Sequence, residues 1–158
     1  MKFYMENLEL IFENIKVNDI EKILNEFKFK PENIESSHFF IDNEDKEYRD
    51  IISFSEYFKN KGTCNILIRD IDLGIVINKS VIIISFDEIY GDITFTFSEN
   101  DWEKANMSDD EKANMLFQKL SMIKNNINYS SILFGYDPVD DDDMQLFRID
   151  NNSNEELE

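Results

Sequence analysis

Between residues 64 and 98 the chain reads as a succession of β-strands joined by turns too short to cross over a sheet. Asn65 to Ile71 alternates apolar and polar residues. Gly74 to Ile77 and Val81 to Phe86 are apolar and β-branched, with the turn-like Asn78-Lys79 between them, and Gly91-Asp92 leads into Ile93-Thr-Phe-Thr-Phe97. In that last run Ile93, Phe95 and Phe97 share one face and Thr94 and Thr96 the other, the two-residue period of a half-buried strand. Strands joined by such short turns must pair antiparallel. This points to an antiparallel sheet through the middle of the chain.

Around that centre the periodicity changes. Residues 8–12 partly alternate and suggest a first strand. Asn18 opens a helix of about ten residues, with Glu21 placed to complete a capping box and Ile20, Ile23, Leu24 and Phe27 at helical spacing. Pro31 ends it. Ser36 to Ile41 reads as a second strand and 42–47 as a polar loop. A helical segment is expected near 54–60, closed by Gly62. Ser108 and Glu111 form a second capping box ahead of a helix over about 109–125, whose apolar stripe is Met115, Leu116, Leu120 and Ile123. Asp109 and Asp110 suit the positive end of that helix. Tyr129 to Tyr136 and Met144 to Ile149 read as closing strands around an Asp137-Pro138 turn. The expectation is a single α+β domain over residues 1–150, a mostly antiparallel sheet with about three helices packed on one face, followed by a disordered acidic tail at 151–158.

Composition bounds function next. The chain has 158 residues, 34 acidic and 16 basic, for a net charge of -18. With 42% hydrophobic residues, including 14 Phe, it can bury a core without staples. Cys64 stands alone, so neither an intramolecular disulfide nor a cysteine metal cluster is available. The N-terminal residues carry Lys2, Glu6 and Glu9 and lack an apolar run of signal-peptide type, which leads to the expectation of a cytoplasmic protein. A strongly anionic field repels nucleic acid and anionic membrane and attracts basic proteins. The partner expected is therefore a basic protein, with no nucleic acid and no membrane.

No catalytic signature accompanies the charge. His38 is the one histidine and lies in a strand without motif context; four glycines leave no phosphate-binding loop; Cys64 reads as a small core residue. The run Asp140-Asp141-Asp142-Asp143 lacks the glycine and the terminal glutamate of a calcium loop. No cofactor, metal site or catalytic residue is assigned. What remains is a contact surface. Residues 137–158 hold nine acids and one base. Tyr136, Asp137, Asp140, Asp141, Asp142 and Asp143 put an aromatic and a rigid turn beside a carboxylate cluster, the residue mix of an interface. A second candidate contact is Glu99, Asp101 and Trp102, where the alternative is that Trp102 simply anchors its loop. The solvated-turn reading of the aspartates stays open as well.

The stretch Ile132-Leu-Phe-Gly-Tyr-Asp-Pro-Val-Asp-Asp-Asp-Asp-Met-Gln-Leu-Phe147 combines an aromatic-Gly-aromatic strand, an acidic-Pro turn and an acidic run before a closing strand. Together with the size, acidity and lack of a catalytic set, it resembles the small acidic immunity proteins of bacterial polymorphic and contact-dependent toxin systems. The resemblance implies a non-enzymatic cytoplasmic inhibitor that binds one cognate toxin domain, such as a nuclease, and it brings no catalytic residues with it. Two other classes fit the charge: a DNA-mimic protein of a phage or mobile element, and a metal-dependent enzyme built on clustered carboxylates. A domain whose acidity serves only solubility is the remaining possibility.

Overall fold

The computed structural model describes residues 6–41 and 43–151. Among these residues, eight strands form one sheet: β1 (Asn7–Lys16), β2 (Ile34–Ile41), β3 (Glu44–Lys46), β4 (Gly62–Asp72), β5 (Val76–Phe86), β6 (Tyr90–Ser98), β7 (Ser131–Tyr136) and β8 (Gln145–Asp150). Their order across the sheet is β3-β2-β4-β5-β6-β1-β7-β8, and every neighbouring pair is antiparallel. Four α-helices accompany them among the described residues: α1 (Ile20–Glu26), α2 (Phe54–Tyr57), α3 (Glu99–Glu103) and α4 (Asp109–Ile123). The α+β class and the antiparallel sheet are as the sequence indicates.

The two faces of the sheet differ sharply. Leu8, Leu10 and Phe12 of β1, Ile66 and Ile68 of β4, Ile82 and Ile84 of β5, Ile93, Phe95 and Phe97 of β6, and Ile132 and Phe134 of β7 point to one side. There they join Ile20, Ile23 and Leu24 of α1, Phe54 and Tyr57 of α2, and Leu116 and Leu120 of α4 in a single buried cluster. Fully burying such a side chain stabilises by about 1.5–3 kcal/mol before chain entropy is counted. The registers place Leu67, Val81, Thr96, Glu9 and Gly135 in one row across the opposite face, and Asn65, Ile83, Thr94, Ile11, Leu133 and Arg148 in the next. The core-forming residues of α1, α2 and α4 lie on the other side. A one-residue slip of β1 would exchange Leu10 for Ile11 at the core, so the alternation of hydrophobicity pins the register.

Several sequence expectations shift by a few residues, each for a local reason. Asn78-Lys79 is not a turn but lies inside β5, its Lys79 opposite Arg69. The turn falls at Leu73–Ile75, where Gly74 takes φ +94°, a conformation most side chains resist. Gly91-Asp92 likewise belongs to β6 rather than the turn. A Cβ on Gly91 would meet the Ser85 carbonyl at 2.3 Å, so the residue is small because a neighbouring strand is close. Asn18 does not cap α1. A 3-10 turn over Val17–Asp19 precedes that helix, and the buried Asp19 instead accepts a hydrogen bond from the Asn128 amide at 2.7 Å. Gly62 starts β4 instead of stopping a helix, and the Tyr57 ring packs 3.2 Å from where its Cβ would stand. The polar loop after Ile41 contains the short edge strand β3, paired with β2. The capping box of α4 forms as expected, with Ser108 Oγ accepting from the Glu111 amide at 3.2 Å. Asn151, expected in the tail, is tied down: its amide donates to the Ser130 carbonyl at 3.0 Å and its side chain to the Tyr129 carbonyl. Residues 152–158 lie outside the described residues. No helix among the described residues is long and apolar enough to cross a membrane.

Candidate partner-binding site

The two acidic segments singled out in the sequence are far apart along the chain but converge on the first residues of β1. The Glu99 amide donates to the Glu6 carbonyl at 2.9 Å, and the Asp137 amide donates to the Asn7 carbonyl at 3.0 Å. One segment leaves the end of β6 and the other the end of β7, the two strands that flank β1. Antiparallel pairing of both with β1 delivers both ends to the same edge of the sheet.

Within the α3 segment the side chains turn inward. Trp102 is 3% exposed and packs against Phe134 at 5.1 Å and Phe97 at 6.0 Å between ring centroids. Its carbonyl accepts a hydrogen bond at 2.9 Å from Lys112 Nζ, itself buried and 5.3 Å above the indole ring. Trp102 thus anchors its loop to α4. Glu99 is also buried. Asp101 is partly exposed and accepts from the Lys79 amide at 3.3 Å and from Lys104 Nζ at 3.4 Å. It lines a shallow groove of ≈ 330 Å³ with Asn7, Leu67, Val81 and Thr96, so the α3 segment borders the open face of the sheet.

The segment after β7 does the same from the other side. Tyr136 is half-buried against the core, and Asp137 is exposed. Val139 is fully buried, as is Leu133, yet neither joins the main cluster. Leu133 lies beside Ile11 on the face away from the helices, so Val139 folds the turn back over that face. The Val139 amide donates to Glu9 Oε1 at 3.2 Å. Gly135 makes this possible: a Cβ there would sit 2.2 Å from the Met144 carbonyl and 2.8 Å from Gln145 Cα. Asp140 to Asp143 are all exposed. Asp141 has a structural duty too, its carboxylate accepting from the Asp143 amide at 3.0 Å to cap a 3-10 turn over Asp142–Met144.

This folding-back gathers carboxylates that the sequence reading did not connect. Burial pushes the Glu9 carboxyl above its ordinary value, and the Asp137 and Asp140 charges push the same way against the Val139 amide. Glu13 is raised as well, first by burial, then by Asp92, with Asp140 and Asp150 adding to this and Arg148 opposing it. Among the described residues no salt bridge reaches Glu9, Glu13, Asp92, Asp137 or Asp140, whereas Arg148 is committed to Asp150 at 2.7 Å. The alternation Glu9, Ile11, Glu13 marks one face of β1 in the sequence. That β6 and β7 bring Asp92 and Asp140 beside it depends on strand order, which the pattern does not carry.

A carboxyl raised in the folded state holds its proton more tightly folded than unfolded. Its contribution to stability is therefore greatest at low pH and falls as pH rises from the ordinary value of 4.5 through the raised one. The double change Glu9→Gln, Glu13→Gln should raise Tm at about pH 8 by roughly 2 °C and flatten the decline in stability above about pH 5. A parallel decline in both proteins, followed by denaturant melts across that range, would remove these two groups as its source.

Among the described residues, His38 on β2 and Cys64 on β4 stand away from this cluster on β1. His38 is exposed and pairs with Asp45 at 3.0 Å on the sheet edge. Cys64 is buried, its thiol pushed up to about 12 by desolvation, and so stays protonated. Among the described residues no three His, Cys, Asp or Glu side chains converge to hold a metal ion.

A model of the PABL017 Cdi1I immunity protein family matches residues 6–152. The chain belongs to that family. The match runs from the first described residue past the last, so the whole sheet and both acidic segments of this Cdi1I-type chain lie inside it. Among solved structures, a chain of the crystal structure of the toxic C-terminal tip of CdiA from Pseudomonas aeruginosa in complex with immune protein is similar in fold. Its TM-score is 0.70 at 17% identity, covering 92% of this chain and 95% of that one. No curated protein matches this chain.

Proposed function

We propose that this chain is an immunity protein that neutralises one cognate toxin domain by binding it, in the cytoplasm of the cell it protects, without chemistry of its own. The family match over residues 6–152 carries the reading, and the structural relative, described as a complex of a CdiA toxin tip with its immune protein, supports it. The finer reading is that the partner is basic, as a nuclease domain with a cationic substrate groove would be. The exposed carboxylates of Asp137 and Asp140–Asp143 support that, because they set a negative field at one end of the sheet.

The test is direct. A candidate cognate CdiA-type toxin domain is expressed in a sensitive cell with and without this chain, and the two purified proteins are mixed in increasing ratio. Growth restored, with toxin activity titrated to zero at one equivalent, is the expected result. Toxin activity that persists at excess overturns the proposal. Adding the protein to unrelated DNA-binding proteins separates it from a DNA mimic: a mimic displaces DNA from several of them, and an immunity protein from none.

A further inference from the structure

We infer that the toxin domain docks on the open face of the sheet, with Leu67, Val81, Ile83 and Ile11 as the dry centre and Glu9, Glu13 and Asp140 receiving a lysine or arginine at its rim. The inference rests on the immunity reading above and adds the surface and its chemistry.

The first argument is the face itself. An antiparallel sheet with one solvated side ordinarily alternates apolar-in with polar-out. Here the outward rows of β4, β5, β6 and β1 carry Leu67 beside Val81, and Ile83 separated from Ile11 by Thr94. Ile83 alone is 37% exposed. With β7, five adjacent strands span about 19 Å between their outer axes at ~4.8 Å spacing, within the extent of a standard interface of roughly 800 Å² a side. Outward aliphatics set among Thr94, Thr96 and Asn65 and bordered by carboxylates give this face the mixed apolar and polar make-up of a contact surface.

The second argument selects the occupant. The patch is bracketed by Asp101 on one side, through the groove it shares with Leu67 and Val81, and by Asp137 and Asp140 on the other, held there by the bond from Val139 to Glu9. Among the described residues, Arg69, Lys79 and Arg148 on this face are engaged: Arg69 and Lys79 both reach Glu35, at 3.6 and 3.5 Å, and Arg148 holds Asp150. A second copy of the chain would set one group of carboxylates against another, a like-charge juxtaposition that opposes association. A basic domain brings the missing charges. The raised carboxyls of Glu9 and Glu13 agree, since a cation placed between them and Asp140 relieves a repulsion already present.

The experiment uses the full chain and the purified toxin domain. Ile83→Arg puts a cation at the centre of the patch on a solvent-facing strand position, and Met122→Arg does so on α4, where Met122 is 71% exposed on the helical side. Ile83→Arg should weaken binding roughly 30-fold or more, mainly by faster dissociation; Met122→Arg should bind as the parent does. Hydroxyl-radical labelling of the unaltered protein checks the same point without any substitution, with protection of Leu67, Val81 and Ile83 in the complex and none at Met122. Wild-type affinity in Ile83→Arg, or labelling of the three aliphatics unchanged by toxin, overturns the docking face while leaving the immunity reading intact. Failure of the unaltered protein to bind or inhibit the toxin overturns the reading beneath it.

Discussion

Phe134→Ala should destabilise the protein by about 3–5 kcal/mol, lowering Tm on the order of 10 °C. The ring is fully buried and sits among Trp102, Phe97 and Phe147 at 5.1, 6.4 and 5.3 Å. It therefore links the anchor of the α3 segment to β7, from which the acidic turn departs. Removing it leaves a cavity where both segments are held, and little can collapse into it because its neighbours are themselves large rings. Urea unfolding gives the number. Phe134→Leu, which keeps much of the volume, should recover a good part of the loss. If alanine costs less than about 1 kcal/mol, the ring cluster is not what holds this end of the sheet.

The second large effect concerns rate. Changing Asp140, Asp141, Asp142 and Asp143 together to Asn should slow association with the toxin domain about 10–100-fold at low salt and leave dissociation nearly unchanged. The substitution preserves the turn, because asparagine at 141 can cap the Asp143 amide as aspartate does. The deficit should shrink as salt rises and screens the remaining charges. Stopped-flow mixing across ionic strength separates the two constants. An unchanged association rate would show that steering comes from the chain's overall charge. A large rise in dissociation would place the run within the packed contact.

The contrast between the two acidic segments shows what could be read from sequence and what could not. The alternation of Ile93, Phe95 and Phe97, the Ser108–Glu111 capping box and the antiparallel logic of short turns are local signals, and each recurs in the structure. The misplaced turns near Asn78 and Gly91 arise because polar or small residues also occupy strands, where they face solvent or make room for a neighbour. Trp102 shows the limit of composition: a lone tryptophan among acids suits an interface or an anchor equally, and only the packing of Phe97 and Phe134 around it decides. Glu9 and Glu13 alternate with Ile11 along β1. Their place beside Asp140 follows from β1 lying between β6 and β7, a non-local fact that no periodicity encodes. The immunity resemblance, drawn on residues 132–147, agrees with a family match that spans nearly the whole chain.

The position of β1 in the middle of the sheet has a consequence for how the protein comes into being. On the ribosome this strand emerges before either of its neighbours, β6 at residues 90–98 and β7 at 131–136. It cannot be paired on both edges until nearly all of the chain has been made. Contacts so distant in sequence form slowly. An incomplete chain therefore offers apolar Leu8, Leu10 and Phe12 with no finished sheet to receive them. The sheet is complete, and both acidic segments are in place, only once the last two strands have been made.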